Sequence, residues 1–302
     1  MTTIICFDIG GSAIKGALAT SPQAIQPLGR VPTPLNDFAA FAQALRAVAD
    51  AADPKAPIAI SITGVVDART GRIKCANIPC IDGRTLASDL AELLGRPVHV
   101  ANDADCFALA EAMAGAGKGE RIVFGAILGT GVGGGLVIDG RLVNGAGGFA
   151  GEWGHGPVAA THAGTPPAAI PSYPCGCGQV GCVDTVGGAR GLERLHLHLH
   201  GIELPSTAII AAWEAGDRAA ARTLDCFIDL VASPLALVVN VVGADIVPVG
   251  GGLSGSRRLI AALDTAVRKR ILRQTDAPLV VPGLCTVEPG LIGAAILAGA
   301  QA

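Results

Sequence analysis

The order of hydrophobic and polar positions along the chain predicts two successive α/β units. Short apolar runs that end at glycine or at a polar residue predict strands, and apolar residues that recur every three or four positions predict helices. In the first unit, the predicted strands cover residues 3–8, 14–19, 23–31, 58–62 and 98–100. One predicted helix begins at Asn36 or Asp37, since either is a good N-cap, and two more cover Leu86–Leu94 and Asp105–Ala114.

The second unit repeats this order. Its predicted strands cover 121–128, 135–138, 245–249 and 279–281, and its predicted helices cover 206–215, 217–242, 256–272 and 291–300. The repeat predicts a duplicated mixed sheet with a cleft between its halves. We predict an N-terminal domain over residues 1–116, completed by the C-terminal helix at 289–302. The C-terminal domain then covers 117–288 and contains an irregular Gly- and Pro-rich loop at about 145–188.

The charge balance and the lengths of the apolar runs argue against nucleic acid and membranes as partners. The 302 residues include 22 Lys and Arg against 25 Asp and Glu, a formal net charge of −3, with no run of like charge. Such a chain lacks a broad phosphate-binding surface, which argues against nucleic acid. Apolar runs are interrupted before about 18 residues and the N-terminus lacks a basic segment, which argues against a membrane partner and a secretory signal. We therefore expect a cytoplasmic protein.

Three glycine clusters each follow an apolar strand. They are Asp8-Ile9-Gly10-Gly11-Ser12, Leu128–Gly135 and Val249-Gly250-Gly251-Gly252. Glycine at a strand end lets the backbone approach a ligand and turn its N–H groups toward anionic oxygens. None of the clusters fits the P-loop or the dinucleotide fingerprint, so they indicate a phosphate or nucleotide site of another kind.

Three of the nine cysteines, Cys175, Cys177 and Cys182, lie close together in a glycine-rich segment. Three thiolates at this spacing suit a tetrahedral zinc ion, and His155 is the predicted fourth ligand. Such a set leaves no open coordination position, so the predicted site is structural. The histidines at 196, 198 and 200 are expected to be surface or partly packed residues, because the three do not share one helical face.

Asn102-Asp103 follows the predicted strand at 98–100 and precedes a helix. Such a pair often forms a turn or a helix cap. A carboxylate at a strand end that lines a cleft can also accept the proton of a hydroxyl while that oxygen attacks phosphorus. The residues alone leave both interpretations open.

From Thr3 to Ala298 the chain resembles the ROK sugar kinases, which have the actin/hexokinase-like (ribonuclease H-like) fold. The three glycine clusters resemble, in order, the family's first phosphate motif, second phosphate motif and adenosine motif. Asn102–Cys106 matches its Asn-Asp-Ala-Asn segment, with Asp105 in place of the second Asn and expected to cap the following helix. Glu152–His155 and the cysteines match its zinc loop, with Asp184 where the family usually has Glu.

The resemblance implies an ATP-dependent kinase that uses Mg²⁺ and holds a structural Zn²⁺. It implies that Asp103 is the catalytic base and that Asp8 organises Mg²⁺ through water. The implied ATP contacts are Asp8, Gly10, Gly11, Ser12, Lys15, Thr130, Gly131, Gly250 and Gly251, although Lys15 is equally consistent with a solvated lysine. The implied sugar contacts are Gly64, Asn77, Asn102, Asp103, Glu152, His155 and Asp184. Of these, Asp184 has a side chain one methylene shorter than the family's Glu, so it reaches less far toward the sugar. The family favours dimers, so a homodimer is expected.

Local similarity around Asn77 and Cys106 favours the bacterial N-acetylglucosamine kinases, so the expected reaction is phosphorylation of the 6-hydroxyl of an N-acetylated hexosamine. Small residues at 64, 145, 147 and 148 would leave room for the acetamido group. Thr63 instead resembles the N-acetylmannosamine kinases, which are the alternative. A glucokinase or fructokinase of the same family and a non-catalytic sugar sensor are further alternatives. The family's repressors carry a winged helix before the first phosphate motif, and the position of Asp8 argues against that class.

Overall fold

The apolar strands near the N-terminus form a five-stranded mixed sheet, in the order β3 (Ala24–Pro32), β2 (Ala13–Ser21), β1 (Ile4–Ile9), β4 (Ile58–Ile62) and β7 (Val98–Asn102). The structure is a computed structural model that describes residues 3–21, 24–143 and 148–301. It divides into two compact units, and unit 1 comprises Met1–Arg121, Gly135–Ala150 and Cys285–Ala302. Its elements are β1 (Ile4–Ile9), β2 (Ala13–Ser21), β3 (Ala24–Pro32), α1 (Phe38–Ala52), β4 (Ile58–Ile62), β5 (Val65–Val66), β6 (Ile73–Lys74), a 3₁₀ turn (Pro79–Ile81), α2 (Leu86–Leu94), β7 (Val98–Asn102) and α3 (Asp103–Ala114).

Helices cover both faces of this sheet, as the near-continuous apolar sequence of β1 and β4 requires. On one face, Phe41 and Leu45 of α1 and Leu90 of α2 join the buried cluster that includes the strand side chains. The C-terminal helix packs against β1, β4 and α3. At its crossing with α3, a Cβ on Gly293 would lie 2.0 Å from the carbonyl oxygen of Cys106, so only glycine permits this approach. The proposed base therefore begins a helix that is held firmly in the core.

Unit 2 comprises Ile122–Gly134 and Gly151–Leu284. Its strands contribute to a second five-stranded sheet, in the order β10 (Arg141–Leu142), β9 (Val132–Ile138), β8 (Ile122–Leu128), β13 (Val247–Gly250) and β14 (Val280–Pro282). Strand β13 is parallel to both β8 and β14. The second half of β9 and all of β10 fall in unit 1. The remaining elements of the chain are β8 (Ile122–Leu128), β9 (Val132–Ile138), β10 (Arg141–Leu142), β11 (His162–Ala163), β12 (Ala168–Ala169), α4 (Asp184–Gly187), α5 (Ala189–His200), α6 (Ser206–Glu214), α7 (Arg218–Val242), β13 (Val247–Gly250), a 3₁₀ turn (Gly252–Gly255), α8 (Arg257–Arg268), β14 (Val280–Pro282) and α9 (Pro289–Gln301).

Helix α7 is long and apolar enough to cross a membrane by length and composition, the one such helix among the described residues. One of its faces is buried, with Leu224, Phe227 and Leu230 in the core, and it packs against α5, α6 and α8. Pro234 and two aspartates also lie within the helix. These features are those of the core helix of a folded domain.

The sequence expectations for two local features were wrong. Asp105 does not cap α3; Asn102 does, because its side-chain oxygen accepts from the amides of Ala104 and Asp105, and the helix begins at Asp103. The expectation of surface or partly packed histidines holds for His198 and His200 but not for His196, which is only 2% exposed and whose Nδ1 lies 2.8 Å from the Thr223 hydroxyl. Its ring centroid lies 4.9 Å from that of His200, four residues along the same helical face.

Candidate functional site

Asp8 lies near the end of β1, between two polar neighbours on adjacent strands. The Ser61 hydroxyl donates to its Oδ1 at 3.0 Å, and Lys15 Nζ lies 3.7 Å from its Oδ2. Lys15 also donates to Glu288 Oε2 at 2.9 Å, just before α9. Burial raises the pKa of Asp8, while Ser61 and Lys15 oppose that shift. The result is a half-buried carboxylate flanked by one cation and one further acid.

The turn after β1 is held by backbone bonds that leave its tip accessible. The Gly10 amide donates to Ala13 O at 3.0 Å, and the Thr33 hydroxyl donates to Gly10 O at 2.7 Å. Ser12 is exposed. A Cβ on Gly10 would meet no described atom within 4 Å, so space remains beside this backbone.

Asn102 and Asp103 stand where β7 passes directly into α3. The Asn102 side chain is used at both ends, since its Nδ2 donates to Gly64 O at 2.7 Å while its oxygen caps the helix. Asp103 is exposed at the first position of a helix whose next nine residues are all buried. Asp105 is 2% exposed, and its Oδ2 accepts from the Gly148 amide at 3.3 Å. The exposed carboxylate of Asp103 is therefore attached to a backbone that buried neighbours hold in place.

The segment after β4 approaches the same residues within unit 1. Gly64 has φ +113°, and a Cβ there would lie 2.7 Å from Lys74 O, so glycine is required. Asn77 is exposed, and its Nδ2 lies 3.5 Å from the Thr63 hydroxyl. The predicted glycines at 145 and 147 lie outside the described residues.

In unit 2, the second and third glycine clusters meet at the end of β8. Gly250 pairs with Ile127 across the two strands. Gly251 has φ +84°, and a Cβ on it would lie 2.5 Å from the backbone of Leu128. Thr130 is exposed in the turn that follows. The structure thus brings the predicted second phosphate motif and the adenosine motif together.

The metal prediction rests on four side chains that the structure gathers into one cluster. The ligand atoms of His155, Cys175, Cys177 and Cys182 all lie within 4.8 Å of one another. The sulfurs of Cys177 and Cys182 are 3.6 Å apart, and Cys175 Sγ is 3.6 Å from His155 Nδ1. Zn–S bonds of about 2.3 Å in a tetrahedron place ligand atoms about 3.8 Å apart, so the donor set and its spacing fit zinc.

The thiols of this cluster differ in their surroundings. The backbone amide of Gln179 lowers the pKa of Cys177 to about 7, whereas burial raises the pKa of Cys175 to about 12. A divalent cation favours the thiolate form of every ligand, because metal coordination displaces the thiol proton. A bound cation would therefore bring the thiols of the cluster, which differ in their own pKa values, to the same thiolate form.

Glu152 and His155 project from a segment that packs tightly on β9. Trp153 between them is buried, and its indole N–H donates to Gly133 O at 2.7 Å. Glu152 Oε2 lies 3.7 Å from His155 Nε2, on the opposite side of the ring from Nδ1. Burial raises the pKa of Glu152, and His155 partly offsets this. His155 can thus face the cysteines and Glu152 at once.

Two hydrogen bonds of the site residues could not be predicted from the sequence, because they join distant positions. Glu288, which holds Lys15, is 273 positions away from it. The Asp184 carboxylate accepts from the Val132 amide at 2.7 Å, across 52 positions. Glu288 has a positive φ of +46°, which is uncommon for a residue with a side chain and often accompanies a functional position.

Comparison with known proteins places these motifs in one family. The ROK family profile matches residues 4–301. The chain is 38% identical over 294 residues to the N-acetylgalactosamine kinase of Shewanella sp. (strain ANA-3), covering 96% of this chain and 94% of the relative. It is 35% identical over 295 residues to the N-acetyl-D-glucosamine kinase of Salmonella newport (strain SL254), covering 96% and 97%. The solved ROK hexokinase from Thermus thermophilus superposes with a TM-score of 0.83 at 29% identity, over 99% of both chains. The chain therefore belongs to the ROK family, as a carbohydrate kinase with the predicted hexokinase-like α/β fold.

Proposed function

We propose that the protein transfers the γ-phosphoryl group of ATP to the 6-hydroxyl of an N-acetylated hexosamine. The observation that carries this proposal is the exposed carboxylate of Asp103 on the buried helix α3. Its position at a helix N-terminus favours negative charge, which a general base requires. A non-catalytic sensor has no use for a base held in this way.

In the proposed reaction, Asp103 takes the proton of the 6-hydroxyl while that oxygen attacks the γ-phosphorus. The new bond joins O6 to phosphorus, the bond from phosphorus to the β-phosphate oxygen breaks, and ADP leaves. Asn102 fixes the start of the helix and keeps one side-chain N–H beyond its bond to Gly64 for a sugar hydroxyl. Glu152 and His155 are the proposed acceptors and donors for the remaining hydroxyls.

The proposed nucleotide contacts follow the glycine turns. Backbone amides of Gly11 and Gly131, with Ser12 and Thr130 hydroxyls, would bind phosphate oxygens. Gly10, whose own amide is bonded to Ala13 O, would contact the phosphates through the space left by its missing side chain, and Gly250 and Gly251 would flank adenosine. Mg²⁺ usually binds one or two carboxylates and keeps several waters. The half-buried carboxylate of Asp8 fits that role, with 27% of its side chain exposed. The ion would neutralise charge on the phosphates.

We propose zinc for the four-residue cluster, in a structural role. All four ligands come from the protein, so no position remains for substrate. The ion would hold the loop that presents Glu152 and His155. A carboxylate beside a ligand histidine also orients the ring, as Glu152 is placed to do here.

The acetamido group at C2 is the proposed determinant of the sugar. The two named relatives act on N-acetylgalactosamine and N-acetylglucosamine, which share this group and differ at C4. N-acetylglucosamine is our proposed substrate. N-acetylmannosamine and N-acetylgalactosamine are the alternatives, the second because of the Shewanella relative.

The proposal is tested by kcat/KM with MgATP over glucose and the three N-acetylated hexosamines. A buried amide that loses its hydrogen-bond partners costs about 1–3 kcal/mol, so at least about tenfold preference over glucose is expected. Product analysis by NMR locates the phosphate on O6. Equal or better turnover of glucose would refute the acetamido preference and leave a hexokinase.

Two further proposals follow from the reaction and from the family resemblance. A reaction that consumes ATP is expected in the cytoplasm. We also propose a homodimer, for which light scattering coupled to gel filtration gives the mass directly. A mass of 30.1 kDa across the working concentration range would exclude it.

A further inference from the structure

Asp184 occupies the position of the family's sugar-binding glutamate, yet its carboxylate is engaged elsewhere in unit 2. Its Oδ1 accepts from the backbone amide of Val132 at 2.7 Å. Val132 is the first residue of β9, directly after the turn proposed to bind phosphate. A Cβ on Gly131 would lie 2.2 Å from this oxygen, so the carboxylate fills the space beside the turn.

The backbone after Asp184 encloses the same turn. The Ala189 amide donates to Gly129 O at 2.8 Å, and the Arg190 amide donates to Thr130 O at 3.3 Å. A Cβ on Gly188 would lie 2.6 Å from the Cα of Gly131. The turn is therefore shaped by residues 184–190 as much as by its own sequence.

The start of this segment is joined to the metal cluster. Cys182 is two residues before Asp184, and its carbonyl accepts from the Thr185 hydroxyl at 2.7 Å. The Asp184 amide donates to Gly154 O at 2.8 Å, beside His155. Asp184 Oδ2 lies 3.9 Å from Cys175 Sγ. One residue thus touches the phosphate turn, the Glu152–His155 segment and the cysteine loop.

We infer that Asp184 is a positioning residue that fixes the 129–132 turn to the metal loop, so that nucleotide affinity depends on the metal. This inference rests on the proposed function, because it takes that turn as a phosphate-binding element. The turn contains two glycines, which lose much conformational freedom when ordered. A carboxylate that holds the adjacent amide supplies that order before the nucleotide arrives.

The first test compares MgADP binding to wild type, Asp184→Ala and Asp184→Asn by calorimetry. Loss of the acceptor leaves the Val132 amide unpaired, so Asp184→Ala should weaken MgADP by roughly 5- to 150-fold. Asp184→Asn keeps an acceptor oxygen and should stay within about threefold of wild type. Sugar affinity, measured without nucleotide, should change less than nucleotide affinity in Asp184→Ala. The reverse pattern would make Asp184 a sugar ligand and overturn the inference.

The second test asks whether the metal acts through Asp184. Removing the metal with a chelator should weaken MgADP binding to wild type and add little in Asp184→Ala, since coupled effects are non-additive. Fully additive losses would overturn the inference.

Hydrogen exchange of the peptide covering 129–134 supplies a readout that needs no nucleotide. Exchange should accelerate in Asp184→Ala and in metal-depleted wild type, but not in Asp184→Asn. Unchanged exchange in all three would overturn the inference. If wild type binds no MgADP while exchange behaves as expected, the proposed kinase function fails and the positioning role stands.

Discussion

The residues around Asp103 and those around the cysteine cluster reach their positions by different means. Asp103 begins a helix of twelve residues whose interior is buried and whose neighbour α9 crosses it at van der Waals contact. Glu152 and His155 belong to a stretch whose regular elements, β11, β12 and α4, span only two to four residues each. Hydrophobic packing fixes the first region. The second depends on side-chain and backbone hydrogen bonds and, in our proposal, on an ion.

The difference teaches where each region is vulnerable. Substitution of a polar side chain in the first region should lower the reaction rate and leave the fold intact, because the core holds the helix. Loss of one ligand in the second region should change structure and binding together, because metal binding there is also folding free energy.

The largest expected effect comes from Asp103→Asn. Loss of a general base lowers kcat by roughly 10²- to 10⁴-fold. Thermal stability and sugar affinity should persist, since Asn102 caps the helix and not Asp103. Sugar-dependent ADP release measures the rate. A kcat within a few-fold of wild type would rule out Asp103 as the base.

Cys177→Ala tests the second region. Wild type should contain about one equivalent of zinc by elemental analysis, and the variant should lose it, with a fall of roughly 10- to 100-fold in sugar affinity. Cys80→Ala, a thiol in unit 1, is the matched control and should keep the metal. Full zinc content in the Cys177 variant would mean that the ligands are misassigned.

Packing beneath Asp103 is tested by two glycines of α9. Gly293→Ala should lower the free energy of unfolding by about 1–3 kcal/mol, because its Cβ would lie 2.0 Å from Cys106 O. A Cβ on Gly299 meets no described atom within 4 Å, so Gly299→Ala should be neutral or slightly stabilising. Urea unfolding measures both. Equal effects of the two substitutions on the free energy of unfolding would show that α9 does not pack closely on α3 at Gly293.

The smallest expected effect concerns the charges around Asp8. Lys15 lowers the pKa of Asp8 and Glu288 raises it. If ionised Asp8 is needed to hold Mg²⁺, activity falls as pH drops through that pKa. Lys15→Met should then move the acid limb of kcat/KM upward and Glu288→Gln should move it downward, each by less than about one unit. Shifts of the same sign would disconnect these residues from Asp8.

Sequence patterns were most informative where the signal is local. The strand that ends in Gly10-Gly11 and the segment with three cysteines each carry their evidence within about ten residues. The prediction chose Asp105 over Asn102 as the cap of α3 and was wrong, because Asn and Asp have similar N-cap preference and only the backbone conformation decides between them. The carbohydrate kinase and its fold are confirmed by the comparisons. The site roles and the sugar stay predictions.

Contacts between distant positions left no trace in the pattern. The bonds from Lys15 to Glu288 and from Asp184 to Val132 join residues 273 and 52 positions apart. The full burial of His196 was missed because the expectation of surface or partly packed histidines considered their spacing, and not the burial of the helix face that carries His196. Such features depend on how elements pack.

The return of α9 to the first sheet has a consequence for how the chain is made. Its residues cover β1, β4 and α3, although they are synthesised after all of unit 2. A nascent chain therefore carries the N-terminal strands with one apolar face uncovered until α9 emerges from the ribosome. Residues 151–284 of unit 2, by contrast, are continuous in sequence. Chaperones that bind exposed apolar surface would meet the N-terminal half for most of translation, and ribosome-bound chains stalled before residue 289 should be protease-sensitive there.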